Sequence, residues 1–383
     1  MSANIPLPVD TRYAAAFCCM PASAPAGTAI PDVNRDVEEN TPAAFCCMPG
    51  SGSPPRAGEG LGERSPQPRH PAIHEIHCKS VLNRVRGMPF RWSANPYRGC
   101  QHACAYCYAR PSHVGYGLDG GADFEQFIFV KVNAPQVLRA ELRRPGWRRE
   151  PVTIGTIVDP YQPVEGRYRL TRALLTELAA ARTPATIITK NTMIQRDLDV
   201  LRELQARAGC AVLISLTTLD AALIRRMEPG TPPPAQRLAA VQRLVEAGIP
   251  AGVMAAPILP GISDSQQSLA ALAAAAARHR AAFFMGDVLR LGPNIEPWFQ
   301  PFLARERPDL VPVYRRLYSR GYAPRPYTER LRGQFAELRA TYGLPSGPPP
   351  LHPTIEPAQL TFGWDSLAPL TLDSATTYTA PMR

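Results

Sequence analysis

The stretch Asn95-Pro-Tyr-Arg-Gly-Cys-Gln-His-Ala-Cys-Ala-Tyr-Cys-Tyr-Ala-Arg110 places Cys100, Cys104 and Cys107 within eight residues, at the spacing C-x3-C-x2-C. Thiols so dense on one loop are hard to bury inertly, and they point to metal ligation. Structural zinc takes four ligands, so a zinc site here needs His102, His113 or Cys78 to close the tetrahedron. A cubane [4Fe-4S] cluster can instead take three thiolates on three irons and leave the fourth iron open to an exogenous ligand. Gly99 lets the backbone wrap closely ahead of the first cysteine, and Ala103, Ala105 and Ala109 leave room for an inorganic core.

Downstream of this loop, apolar β-branched runs alternate with amphipathic segments. Val152 to Val158, Ala185 to Thr189, Cys210 to Thr217, Pro250 to Ala256 and Ala281 to Leu291 read as buried parallel strands. Between them, Leu170, Leu174 and Leu178 fall at i, i+4 spacing, Leu198, Leu201 and Leu204 precede Gly209, and Leu238, Val241 and Leu244 precede Gly248. Ser263 with Gln266 resembles a capping box opening an Ala-rich helix that runs to about Arg280. Repeated βα units predict a parallel sheet, open or closed into a full or partial barrel, with functional residues just after each strand. Beyond the last strand, Glu296 to Arg307, Asp309 to Arg320 and Thr328 to Tyr342 read as a helical appendage. Its stripe Leu331, Phe335, Leu338 and Tyr342 is expected to pack on the barrel, with Arg330, Arg332 and Arg339 on a solvated face.

Of 383 residues, 43 are Pro and 27 Gly, which excludes a uniformly packed chain. Residues 1 to 70 lack helical or strand period and are expected to be a disordered tail. The heptapeptide Ala-Ala-Phe-Cys-Cys-Met-Pro recurs there at 15 to 21 and 43 to 49, and reads as duplicated low-complexity sequence, since adjacent cysteines chelate one ion poorly. The Pro-rich stretch 345 to 383 has the same character. The expected division is thus a tail at 1–70, a catalytic core at 75–295, a helical appendage at 296–344 and a tail at 345–383. No run approaches the roughly 18 apolar residues of a membrane span, and no export signal is evident. A cytoplasmic protein with reduced thiols and no membrane partner is expected. Residues 81 to 344 hold 35 basic against 21 acidic side chains, a net +14, and only Lys79, Lys131 and Lys190 are lysine in the whole chain.

With Tyr106 just before the third cysteine, the motif C-x3-C-x-aromatic-C resembles the signature of the radical S-adenosylmethionine (SAM) superfamily. Asp159-Pro-Tyr-Gln-Pro-Val-Glu165, Thr189-Lys190-Asn191 with Arg196-Asp197, Thr217-Thr-Leu-Asp220 with Glu228-Pro229, and Pro257-Ile-Leu-Pro-Gly261 with Asp264 narrow the resemblance to the branch related to spore photoproduct lyase, over about residues 75 to 340. The resemblance implies an α/β fold, a partial (β/α)6 TIM-like barrel with Cys100, Cys104 and Cys107 holding a [4Fe-4S] cluster at its open top. It implies one-electron cleavage of SAM to methionine and a 5′-deoxyadenosyl radical, an electron donor such as flavodoxin or ferredoxin, and a monomer.

By the same resemblance Tyr106 packs on adenine, Lys190 with Thr189 meets the SAM carboxylate, and Ser215 and Thr217 suit the ribose or the carboxylate. The family's glycine-rich motif after the second strand is absent; Thr156 and Asp159 occupy that region, which leaves the partner of the amino group open. Asp159 and Glu165 facing substrate, and Arg237 as a phosphate contact or a helix surface charge, are further expectations. Nucleic acid is the leading substrate class, because the related lyase repairs DNA and the middle of the chain is basic. A peptide or metabolite substrate, and a zinc-stabilised nucleic-acid-binding module, are the alternatives. The lyase closes its reaction with a cysteine beyond the cluster, whereas Val152 to Glu165 holds none here and Cys210 is the only thiol after Cys107. The lyase reaction itself is therefore not expected.

Overall fold

The computed structural model describes residues 71–292 and 295–351; both Cys-Cys pairs and nearly all of the C-terminal tail lie outside them. Ten strands carry the fold: β1 (Ala72–Ile76), β2 (Leu82–Arg84), β3 (Trp92–Ala94), β4 (Tyr97–Arg98), β5 (Phe127–Lys131), β6 (Val152–Ile154), β7 (Ala185–Thr189), β8 (Cys210–Ser215), β9 (Ala251–Ile258) and β10 (Phe284–Val288). The principal sheet has the order β10-β9-β8-β7-β6-β3-β2. Every neighbouring pair in it is parallel except β2 with β3. Six parallel strands in sequence order with edges that do not meet make a partial barrel.

The helices are α1 (Ala122–Gln126), α2 (Ala134–Leu142), α3 (Glu165–Tyr168), α4 (Leu170–Ala180), α5 (Leu198–Arg207), α6 (Ala221–Met227), α7 (Pro234–Glu246), α8 (Gln266–Arg278), α9 (Glu296–Glu306), α10 (Val311–Leu317) and α11 (Arg325–Tyr342). The core lies between the sheet and the helix layer, where Leu174, Leu201, Leu244 and Leu272 bury against Ile187, Val212 and Val253. Each such leucine contributes about 1.5–3 kcal/mol of transfer free energy. On α11, Phe335 stacks on Phe284 of β10 at 5.0 Å, so the predicted apolar stripe does cover the last strand. Gly286 permits this approach, since a Cβ there would run into the Phe335 ring.

Strand positions follow the apolar runs, but their ends do not. The run from Val152 continues to Val158, yet β6 stops at Ile154, because Gly155 turns the chain at φ +92° against the Ile188 carbonyl. The expected cap of α8 also moves. Ser265, not Ser263, accepts the helix-opening hydrogen bond, from the Ser268 amide at 3.1 Å. Ser263 is buried and instead accepts from the Leu259 amide at 2.9 Å. The expected strands started at Val152, so β3 and the small sheet β1-β5-β4 are additions. β3, only three residues long, is the first parallel strand of the principal sheet, and the chain passes from it through β4 into the cysteine loop.

Candidate active site

Because β3 runs parallel to β6, with Trp92 beside Val152 and Ala94 beside Ile154, the chain leaves it at the C-terminal end of the sheet. The cysteine loop therefore sits where βα folds carry their chemistry. Gly99 opens it at φ +77°, where a Cβ would run into the Phe127 carbonyl of β5. The loop is then clamped from inside by Arg110, which is almost wholly buried. Its Nε and Nη2 donate to the Cys104 carbonyl at 3.2 and 2.9 Å, its Nη1 donates to Gly120 and Gly121 carbonyls, and it pairs with Glu125. The guanidinium thus spends its fixed fork of donors on shaping backbone.

Two further elements brace the loop. Gln162 donates to the Gly99 carbonyl at 2.9 Å and accepts from the Gln101 amide at 3.0 Å. After α6, the Gly230 amide donates to the His102 carbonyl at 3.2 Å, while the Ala105 amide donates to Met227 at 3.0 Å. Gly230 must be glycine for this contact, since a Cβ would collide with the Gln101 carbonyl.

Cys100 and Cys104 are each 7% exposed, and Cys107 is more open. Burial pushes the Cys100 thiol up to about 12, with the negative charges of Asp159 and Cys107 adding to it. Burial likewise holds Cys104 well above an ordinary thiol, against the pull of Lys190. A cationic metal group is what such thiols need to ionise. The candidates for a fourth zinc ligand are turned elsewhere. His102 Nδ1 faces Asp159 at 3.3 Å and its Nε2 faces Asn191 at 3.3 Å. His113 bonds the Phe127 carbonyl at 3.0 Å between the rings of Phe124 and Phe129, and Cys78 lies in the main core. Among the described residues no three His, Cys, Asp or Glu side chains are gathered for a single metal ion. The donor set fits a group that takes three thiolates and leaves one position open.

Two buried polar brackets flank the loop. In the first, Asp159 accepts from Thr189 Oγ1 and the Lys190 amide, both at 2.7 Å, and from the Tyr161 amide at 2.9 Å, beside His102. Burial alone would raise this carboxyl, but His102 and these donors hold it at about 2. In the second, Tyr106 donates its hydroxyl to Glu228, which is paired with Arg237 at 2.5 Å. Arg237 also donates to the Ser215 carbonyl at 3.0 Å and the Pro232 carbonyl at 2.8 Å. Burial of Glu228 is outweighed by Arg237 and Lys190, and its carboxyl stays below the usual range.

Lys190 lies between the brackets, its Nζ 5.8 Å from the centre of the Tyr106 ring. Burial would lower its pKa, but Cys104, Glu228 and Asp159 raise it, so the ammonium persists. Among the described residues that ammonium makes no hydrogen bond. Thr217 Oγ1 is also buried without a partner. Tyr106, Asp159, Thr189, Lys190 and Thr217 are thus brought around the loop. Ser215 instead donates its hydroxyl to the Ala256 carbonyl of β9 at 2.9 Å. Thr156 is held by Asn95, whose Nδ2 donates to its hydroxyl at 3.1 Å, and its carbonyl accepts from Tyr108.

Two expectations are corrected here. Arg237 is neither a surface charge nor an exposed phosphate contact, because it is fully buried against Glu228. Glu165 does not face substrate; fully buried, it accepts from Tyr97, the Thr171 amide at 3.0 Å and Arg196 at 2.8 Å. The bracketing role of Glu228 and Arg237 was not read from the sequence. Their one signal was a Glu-Pro step followed by a proline run and an arginine inside an otherwise apolar helix face.

Residues 94–273 match the family model of the radical SAM superfamily. An uncharacterised protein of Mycobacterium tuberculosis strain H37Rv is 44% identical over 303 residues, spanning 77% of this chain and 88% of that protein, and its counterpart in Mycobacterium bovis is equally similar. An uncharacterised protein of Methanocaldococcus jannaschii is 27% identical over 194 residues, 50% of this chain and 70% of that protein. A spore photoproduct lyase variant with bound AdoMet and dinucleoside spore photoproduct superposes with a TM-score of 0.53 at 17% identity, over 68% of this chain and 76% of that one. A second variant of that lyase gives a TM-score of 0.56 at 14% identity, over 70% and 78%. The shared partial barrel, the three-cysteine loop at its C-terminal mouth and the family match lead to one conclusion: the chain belongs to the radical SAM superfamily and is a radical SAM enzyme.

Proposed function

We propose that Cys100, Cys104 and Cys107 hold a [4Fe-4S] cluster and that the enzyme abstracts hydrogen from a nucleic-acid substrate. When bound, the cluster and SAM supply one-electron cleavage of a C–S bond, giving methionine and a 5′-deoxyadenosyl radical. The residues of the chain position and shield. Three thiols are presented on one braced loop, while His102, His113 and Cys78 are turned away; this observation carries the reading. Lys190 offers a persistent ammonium that makes no hydrogen bond among the described residues, suited to the carboxylate of SAM, with Thr189 beside it. Tyr106, fixed through Glu228, presents a ring suited to adenine. Thr217 has a hydroxyl to offer to the ribose or the carboxylate. Asp159 and Thr156 keep the loop after β6 in place, and the partner of the SAM amino group is to be sought among them.

The substrate assignment rests on the net +14 of residues 81 to 344 and on the lyase fold. A cytoplasmic monomer reduced by a flavodoxin or ferredoxin completes the proposal; no helix among the described residues is long and apolar enough to cross a membrane. Anaerobic purification with iron and acid-labile sulfide analysis, followed by chromatography of 5′-deoxyadenosine formed with SAM and dithionite, is the direct test. Zinc in place of iron, or no 5′-deoxyadenosine, overturns the proposal.

A further inference from the structure

A pocket remote from the cysteine loop gathers several guanidiniums. It has a volume of about 330 Å³, opens to solvent, and is lined by Arg139, Arg143, Arg144, Arg149, Trp147 and Glu177, with apolar residues completing the wall. Arg149 lies three residues before β6 begins at Val152, so the cavity faces the N-terminal end of the sheet, opposite the mouth.

Its charge is unbalanced. Glu177 is the single carboxylate, and Arg139 already engages both its oxygens, at 2.8 and 2.6 Å. Among the described residues no carboxylate pairs with Arg143, Arg144 or Arg149. The C-terminal ends of α2 and α4 reach the cavity wall, and helix ends attract cations, but each supplies only about half an elementary charge. Four guanidiniums against one carboxylate and two such ends leave an excess of roughly +2 in a concave space.

The cavity also has a rigid aromatic wall. The indole N–H of Trp147 donates to Thr183 Oγ1 at 3.0 Å, and its ring meets Trp92 edge-on at 5.4 Å. Guanidiniums recognise phosphate bidentately, and a fixed aromatic accepts a base by stacking. At 330 Å³ the volume lies within the range of small-ligand sites.

We infer that this cavity is a second binding site, for the phosphate groups of a nucleic-acid backbone or of a free nucleotide, separate from the radical site. It holds a phosphate between Arg143, Arg144 and Arg149, with the attached nucleoside against Trp147. The site requires neither cluster nor SAM, so it stands or falls independently of the proposed function.

The test measures fluorescence anisotropy of a labelled 20-nucleotide DNA strand with the full-length protein, at about 50 mM salt, where phosphate contacts are strongest. The double variant Arg143→Glu/Arg144→Glu is compared with Arg315→Glu/Arg316→Glu, an exposed pair that makes the same change in net charge. Loss of at least tenfold in affinity for the first pair, and less than threefold for the second, supports the site. ADP that displaces the strand at lower ionic strength than sodium chloride assigns the cavity to a free nucleotide. Displacement by unlabelled strand alone assigns it to the backbone. Equal losses in the two variants, or binding of neither strand nor ADP by the native protein, overturn the inference. Both variants should keep native iron content and far-ultraviolet circular dichroism, so a folding defect is recognised separately.

Discussion

Glu228 and Arg237 at one end of the sheet, and Arg143 and Arg144 at the other, carry their charges under opposite conditions. The first pair is fully buried and closed on itself at 2.5 Å, and Arg237 spends its other donors on the Pro232 and Ser215 carbonyls and the Thr231 hydroxyl. The second is exposed around a pocket, and no carboxylate among the described residues pairs with it. A buried charge must be compensated by fixed partners, whereas an exposed one is compensated by water and can exchange it for a ligand. Pairing therefore buys rigidity at the mouth, where a reactive radical must be confined. Lack of pairing leaves the far end available to an anion. Between these extremes stands Lys190, within the closed network yet without a hydrogen bond to its ammonium.

The largest effect should come from the mouth. Cys104→Ala is expected to abolish 5′-deoxyadenosine formation, below about one thousandth of the native rate, which anaerobic chromatography resolves. Native activity in this variant would remove the cysteine loop from the mechanism. Next, Arg237→Ala removes the cation hydrogen-bonded to the buried Glu228 carboxylate, and the loss should be about 3–5 kcal/mol in denaturant unfolding of the apoprotein. Arg143→Ala at the opposite end should cost less than about 0.5 kcal/mol in the same assay. Similar losses at the two sites would break the comparison.

A smaller effect is pH-dependent. Asp159 is held at about 2 against an ordinary value of 3.8, so the folded state binds its proton more weakly than the unfolded chain does. Its contribution, about 2 kcal/mol, is complete above the unfolded value and is lost as pH falls from about 4 toward 2. Urea unfolding of the apoprotein across pH 6 to 2 should therefore show a shallower acid decline in Asp159→Asn than in the native chain. An unchanged slope would dissociate Asp159 from His102. The smallest effect is expected at Cys210, which starts β8, far from the mouth, and whose thiol is pushed up to about 12 by burial alone. Cys210→Ala should leave iron content and SAM cleavage within twofold of native. For the same reason, a synthetic dinucleoside spore photoproduct should not be returned to paired thymidines, and catalytic repair of it would sink the view that this enzyme departs from the lyase reaction.

The order of parallel strands and helices was legible in the chain, since a buried face imposes its period on local sequence. Leu174, Leu201, Leu244 and Leu272 stand where that period requires. So was the cysteine loop, because three thiols at fixed spacing are a covalent property of one short segment. Strand β3 escaped because three residues, Trp-Ser-Ala, are too few to show a period. What only the tertiary structure decided is which charges meet. Tyr106 and Glu228 are 122 residues apart, and Asp159 and the Lys190 amide 31. Arg237 sits on a helix whose sequence is equally compatible with a solvated arginine; its burial follows from Glu228 arriving opposite it after α6. The same principle engages His102, His113 and Cys78 with partners other than the three loop cysteines. Sequence periodicity records which face of an element is buried, but a buried polar group is settled by partners that the chain brings from elsewhere.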